Sequence, residues 1–81
     1  MKNLLEYIIL GIVEKPESVK IDQTTQEGEE VLSLTVDPED MGKVIGKNGQ
    51  IIRSIRILLR SQAFKQGKKA RILLNESQLE K

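Results

Sequence analysis

The spacing of the apolar residues alternates between two periods along the chain, and this limits the folds that the chain can adopt. Near the N-terminus, apolar residues recur every three or four positions, which is typical of one buried face of an α-helix. This stripe consists of Leu4, Leu5, Ile8, Ile9, Ile12 and Val13. It predicts an amphipathic helix over residues 2–14, and Pro16 should prevent the helix from continuing.

Two segments with the period of a half-buried β-strand follow this helix. Their apolar positions are Val19 and Ile21 in the first segment, and Leu32, Leu34 and Val36 in the second. Residues 26–29 between them read Gln-Glu-Gly-Glu, a composition typical of a turn. The two strands should therefore form a hairpin.

A second helix is expected after the hairpin. Asp37 can cap its first turn, Pro38 suits the first helical position, and Glu39 and Asp40 complement the positive end of the helix dipole. This helix should be short and end near Gly46.

The helical period returns from Gly49 to about Gln66. Its apolar side comprises Ile51, Ile52, Ile55, Leu58, Leu59 and Ala63, whereas Arg53, Arg56 and Arg60 lie on the other side. Gly67 should end this helix. Alternation of Ala70, Ile72 and Leu74 with other residues then predicts a final strand.

The predicted fold class is α+β, with the element order α-β-β-α-α-β. Strands joined through a helical crossover are expected to be parallel neighbours, so the sheet should be mixed and three-stranded, with the helices on one face. A chain of 81 residues can bury one modest core. We expect a single domain over residues 1–76 and a frayed tail over residues 77–81.

The composition argues against several classes of function. The chain has no cysteine and no histidine, so it lacks the thiols for disulfides and the usual nitrogen and sulfur ligands for zinc. Its serines have no recognisable base beside them, and the helix start explains the paired acids Glu39 and Asp40. The apolar run over residues 7–10 is far too short to span a membrane. We therefore expect a cytoplasmic, non-catalytic protein that needs no metal or cofactor and has no membrane partner.

Charge is unevenly distributed along the chain. Residues 1–41 contain ten acidic and three basic residues, whereas residues 42–81 contain ten basic and two acidic residues. Such asymmetry suggests one face that attracts anions.

The candidate site is the Gly46-Lys47-Asn48-Gly49 segment, termed here the GxxG loop, because it falls between two predicted helices. It fits neither a Walker loop nor a dinucleotide-binding fingerprint, since the glycine spacing differs and no strand precedes it. The Asn-Gly dipeptide is also typical of a tight β-hairpin turn, although the helical period after Gly49 opposes that reading. Glycines lacking Cβ would let a phosphate backbone approach free amides at the start of a helix.

The segment Val-Ile-Gly-Lys-Asn-Gly-Gln-Ile-Ile, residues 44–52, resembles the signature I-G-x-x-G-x-x-I of KH domains. The element order resembles the type II, prokaryotic arrangement of that fold. Residues 4–8 and 38–47 are also similar to the small bacterial single-KH proteins of the KhpA family. The resemblance covers about residues 2–75.

The resemblance implies that the loop clamps about four nucleotides of single-stranded RNA. Val44, Ile45 and Ile52 would form one wall of the groove, and the strand with Leu34 and Val36 would form the other. The complete set of expected RNA-binding residues is Lys43, Val44, Ile45, Gly46, Lys47, Asn48, Gly49, Ile52 and Arg53. Asn48 departs from relatives, which often have a basic residue or glycine there.

The same resemblance implies an RNA chaperone or post-transcriptional regulator that pairs with KhpB, a larger KH-containing protein. A competing hypothesis is a protein adaptor or homodimer that uses the outward face of the long helix, namely Arg56, Ile57, Arg60 and Phe64. Binding of single-stranded DNA is a third hypothesis, since no residue identifies a reader of the 2′-hydroxyl. Because the chain has only one Tyr and one Phe, base stacking should contribute little and monomer affinity should be about micromolar or weaker.

Overall fold

A computed structural model describes residues 1–76, and the predicted frayed tail at 77–81 lies outside the described residues. The predicted α-β-β-α-α-β order is confirmed. The elements are α1 (Lys2–Leu10), β1 (Lys20–Gln26), β2 (Glu29–Val36), α2 (Met41–Ile45), α3 (Gln50–Lys65) and β3 (Lys69–Glu76). Short 3₁₀ turns occupy Pro16–Ser18, Pro38–Asp40 and Lys47–Gly49.

The three strands form one mixed sheet in the order β1-β2-β3, as predicted. Strand β1 runs antiparallel to β2, with Ile21 opposite Leu34. Strand β3 runs parallel to β2, with Ile72 beside Leu32. All four side chains belong to the same core cluster, together with residues of all three α-helices. The helices therefore cover one face of the sheet, and β3 forms an edge of it.

The hairpin turn lies where the sequence predicts it. Gln26 pairs with Glu29, and the two residues between them both have positive φ, 52° for Glu27 and 81° for Gly28. These angles are typical of a type I′ turn, whose twist matches that of the flanking strands.

Helix α1 is shorter than predicted, because it ends at Leu10 instead of residue 14. Gly11 follows, and the amides of Ile12 and Val13 both donate to the Ile9 carbonyl, at 2.9 and 3.1 Å. Ile12 and Val13 still pack against the core from this turn. The apolar stripe predicted burial correctly, but glycine and the contacts of the following residues ended the helix early.

The carboxylate of Asp40 supplies those contacts. Asp40 is only 1% exposed, and its two oxygens accept the amide hydrogens of Glu14 and Lys15, each at 3.0 Å. The hydrogen bond from Glu14 is the main cause that lowers the pKa of Asp40, and burial opposes it. Sequence reasoning assigned Asp40 only to a helix start, whereas it also joins the end of the α1 turn to the beginning of α2.

The predicted apolar side of α3 is only partly correct. Its buried residues are Ile52, Ile55, Leu59 and Ala63, whereas Ile51 is 38% exposed and Leu58 is 52% exposed. At about 100° per residue, Ile51 and Leu58 lie on the flank of the buried stripe. Within residues 1–76, no helix combines the length and the apolar composition that crossing a membrane requires.

Candidate nucleic-acid interface

The two glycines of the GxxG loop both adopt conformations that favour glycine. Gly46 has φ 77° and ψ 173°, and Gly49 has φ 71° and ψ 18°. The Gly46 amide closes α2 by donating to the Gly42 carbonyl at 2.8 Å, and the Gly49 amide donates to the Gly46 carbonyl at 3.1 Å. The first pair of angles is almost exclusive to glycine, so the turn depends on its presence.

Gly46 also lies against a side chain of α3. A Cβ atom added to Gly46 would lie 2.6 Å from Cγ1 of Ile51, far inside van der Waals contact. A Cβ atom on Gly49 would have as its nearest neighbour Nη2 of Arg53, at 4.0 Å. Gly46 thus combines a positive φ with close packing against Ile51, whereas Gly49 has the positive φ alone. The sequence analysis did not predict this contact of Ile51.

Asn48 connects the two glycines in a left-handed conformation, with φ 56° and ψ 26°. Asn adopts this conformation more readily than most residues, which accounts for its presence at this position. Asn48 and Gly49 have the two positive φ values that are typical of a type I′ turn. However, the segment is flanked by helices α2 and α3 and not by two strands. The alternative of a β-hairpin is therefore wrong, because helical packing determines the flanking elements.

Three cations near the loop have different surroundings. Lys47 is exposed at its tip, and no salt bridge to it occurs within residues 1–76. Arg53 donates from Nη2 to the Asn48 carbonyl at 3.3 Å. Lys43 instead lies 3.0 Å from a carboxylate oxygen of Glu14 and 3.9 Å from one of Asp40. Carboxylates of the protein thus balance the positive charge of Lys43. Lys47 and Arg53 have no salt bridge within residues 1–76, so their positive charges remain available at the loop.

The expected aliphatic wall lies mostly beneath the surface, which corrects the sequence prediction. Val44 is completely buried, Ile52 is 7% exposed, and Ile45 is partly buried against the core. These three residues therefore hold α2 and α3 together under the loop. Only Ile45 keeps some surface for a ligand.

The opposite wall is also different from the prediction. Leu34 and Val36 are completely buried on β2, the central strand, and offer no side-chain surface. The strand beside α3 is the edge strand β3. A pocket of about 220 Å³ opens between them, lined by Arg56, Leu59, Arg60, Ala70, Arg71 and Ile72. The Lys68-Lys69 pair at the start of β3 was the sequence signal that could have indicated this strand.

The outward face of α3 carries the residues proposed for a partner interface. Ile57 is 56% exposed and Phe64 is 82% exposed. Arg56 and Arg60 are exposed on the same side of the helix, at its boundary with β3. The described residues contain no group of three or more His, Cys, Asp or Glu side chains arranged to hold a metal ion.

Comparison with known proteins agrees with this geometry. The family model "KhpA/KhpB, KH domain" matches residues 2–74. The RNA-binding protein KhpA of Clostridium perfringens is 46% identical over 85% of this chain and 92% of its own length. The RNA-binding protein KhpA of Thermotoga maritima is 49% identical over 73% of this chain and 79% of its own length. That of Chlamydia trachomatis is 38% identical over 94% of this chain and 97% of its own length. No solved structure matches the chain. The extent of these matches and the type II order of helices and strands show that the chain belongs to the KhpA/KhpB family of KH domains.

Proposed function

We propose that this protein binds single-stranded RNA without catalysing a reaction, and that the GxxG loop clamps the RNA backbone. The observation that carries the proposal is the glycine-dependent turn at the start of α3, with Lys47 exposed at its tip and without a salt bridge to any of residues 1–76. Amide groups at a helix start and a nearby cation are the groups that bind phosphate in other proteins. Arg53 would add a second positive charge next to the loop.

The hydrogen bonds of the loop support this reading. The amides of Gly46 and Gly49 close the turn by donating to the carbonyls of Gly42 and Gly46. The amides of Lys47 and Asn48 lie between these two glycines, next to the left-handed backbone of Asn48. Successive amides in such a turn are groups that bind a phosphate oxygen in other proteins.

RNA is favoured over DNA because the relatives of Clostridium perfringens, Thermotoga maritima and Chlamydia trachomatis are all named RNA-binding proteins. The same RNA and DNA sequences should therefore be compared, and equal affinity would favour a general binder of single strands. The expected binding is weak and little dependent on sequence, since backbone contacts carry no base information. These properties suit an RNA chaperone or a post-transcriptional regulator acting in the cytoplasm.

The test is a double substitution at the tip of the loop, Lys47→Asp with Asn48→Asp. Asp also tolerates the left-handed conformation, so both glycines and the fold should remain. Two negative charges would then lie where phosphate binds, and RNA affinity measured by fluorescence anisotropy should fall at least about tenfold, equivalent to about 1.4 kcal/mol.

The chain supplies a matched control for this experiment. Lys2 and Asn3 form an identical, exposed dipeptide in α1. The variant Lys2→Asp/Asn3→Asp introduces the same charge change away from the loop and should bind RNA as the wild type does. Equal affinities of the loop variant and this control would refute the clamp.

A second candidate function is association through the outward face of α3, either as a homodimer or with a KhpB-like protein. The observation in its favour is the exposure of Ile57 and Phe64, which are large apolar side chains on one face. The description of the matching family also names KhpB beside KhpA. We expect Ile57→Ser to lower the mass measured by light scattering if this face pairs. Leu58→Ser, a change of similar exposure on the other flank of α3, should leave the mass unchanged.

A further inference from the structure

We propose that a second RNA contact lies around Phe64, at the end of α3 away from the GxxG loop. This contact would hold nucleotides beyond those clamped by the loop. The inference rests on the proposed function, because it concerns the same RNA strand.

The site is a pocket of about 350 Å³ between the end of α3 and the beginning of β3. It is lined by Glu29, Arg60, Phe64, Lys68, Lys69, Ala70 and Arg71. It shares Arg60, Ala70 and Arg71 with the smaller pocket beside Arg56, so the two are continuous. The result is one groove along the seam between α3 and the edge strand.

Positive charge dominates this groove. It is lined by five cations, namely Arg56, Arg60, Lys68, Lys69 and Arg71. Among the described residues, two carboxylates pair with two of these cations: Glu30 lies 3.8 Å from Lys68, and Glu29 lies 3.7 Å from Arg71. Within residues 1–76, Arg56, Arg60 and Lys69 have no salt-bridge partner. Three of the five cations are thus unpaired among the described residues, and the phosphates of an anionic polymer would supply their counter-charges.

The groove continues the cations of the loop. Arg53, Arg56 and Arg60 follow one another at helical spacing on the same side of α3, starting beside Asn48. At 1.5 Å per residue, Phe64 lies about 16 Å along the helix from Arg53. A backbone leaving the loop would thus pass a series of guanidinium groups before it reaches Phe64.

The chemistry of this end favours RNA over a protein partner. Phe64 is 82% exposed and stands among Arg60, Lys68 and Lys69. An exposed aromatic ring within a basic groove is a typical stacking platform for a base of single-stranded nucleic acid. Protein interfaces are instead depleted of lysine at their cores, because its charge must be desolvated. Phe64 is therefore assigned to RNA here, in competition with the association described above.

The first experiment compares oligouridines of about 4 and about 12 nucleotides, since the loop alone is expected to hold about four. Phe64→Ala should weaken binding of the long RNA at least about fivefold, the lower limit for loss of one base stack. The affinity for the short RNA should not change. Tyr7→Ala is the control, because Tyr7 is an aromatic residue of similar exposure, 80%, that does not line the groove.

The second experiment measures the salt dependence of long-RNA binding. Each phosphate contact to a single strand contributes about 0.7 to the slope of log K against log salt, so Arg60→Ala/Lys69→Ala should reduce the slope by about 1.4. The control Lys2→Ala/Lys20→Ala removes two exposed cations outside the groove and should leave the slope unchanged.

The possible outcomes separate the two proposals. If the wild type binds and the loop variant does not, but the Phe64 and Arg60/Lys69 variants match the wild type, the second contact is refuted and the clamp remains. If the wild type binds neither RNA, both proposals fail. If Phe64→Ala lowers the mass of the protein and its affinity for short and long RNA equally, the pocket is a protein interface and the inference is wrong.

Discussion

Alanine substitutions of the two loop glycines should differ in their cost, and this difference tests the account of the GxxG loop. Gly49→Ala forces a left-handed conformation on a residue with a Cβ atom, at a cost of about 1–2 kcal/mol. Nothing obstructs the new methyl group there, since its nearest neighbour is 4.0 Å away. The free energy of unfolding should fall by that conformational cost alone.

Gly46→Ala carries two costs. Its φ and ψ of 77° and 173° lie in a region that costs a non-glycine residue about 1–3 kcal/mol. The new Cβ atom would also approach Ile51 at 2.6 Å, and overpacking of this kind costs about 1–3 kcal/mol more. The total of about 2–6 kcal/mol is large against the stability of about 4–12 kcal/mol expected for a domain of this size.

Urea unfolding followed by far-ultraviolet circular dichroism measures both variants, because the chain has few aromatic residues for fluorescence. Adding Ile51→Ala to Gly46→Ala separates the two costs. This change removes Cγ1 and Cδ1 but leaves Cβ, which would lie 2.8 Å from the new methyl group, so recovery should be partial and at least about 0.5 kcal/mol. Equal urea midpoints for the two glycine variants, or no coupling with Ile51, would contradict the reasoning.

Two further predictions concern the support of the loop. Because the pKa of Asp40 is lower in the folded state than in the unfolded chain, its ionised carboxylate stabilises the fold at neutral pH. This stabilisation is lost as the pH falls from about 4, the pKa of an unperturbed Asp, through the lower pKa of Asp40 in the folded protein. Asp40→Asn should therefore lower the urea midpoint at neutral pH, with a difference that shrinks in acid, and a difference independent of pH would contradict the assignment. Leu59→Ala, at a position that is 1% exposed, should cost about 2–5 kcal/mol, whereas Leu58→Ala, at 52% exposure, should cost less than about 0.5 kcal/mol in the same assay.

The order of helices and strands was predictable because the spacing of apolar residues within each segment matches the period of the element that the segment forms. Strand β2 buries the apolar positions expected from its sequence, since Leu32, Leu34 and Val36 are all completely buried. The length of α1 was not predictable in this way. Its stripe continues to Val13, but Gly11 and the amide contacts of Asp40, 25 and 26 residues from its partners, changed the path of the chain.

The candidate site also has a part that was predictable from the sequence and a part that was not. The positions of Gly46 and Gly49 could be read directly, since few arrangements other than a tight turn between helices fit their spacing. The walls of the groove could not be read, because apolar residues that line a groove and apolar residues that fill a core have the same sequence pattern. Val44 and Ile52 proved to be core, and Ile51, assigned to the core, proved to be partly exposed beside Gly46.

The sequence alone determined the α+β class, the type II order, the hairpin turn and the glycine-dependent loop, because each follows from residues that are neighbours along the chain. Tertiary structure decided which strand faces α3, which cations are paired and which remain available. Lys43 and Lys47 are both lysines near the loop, yet only Lys43 lies within 3.0 Å of Glu14. Such differences arise from contacts between distant segments, and packing of the whole chain determines those contacts.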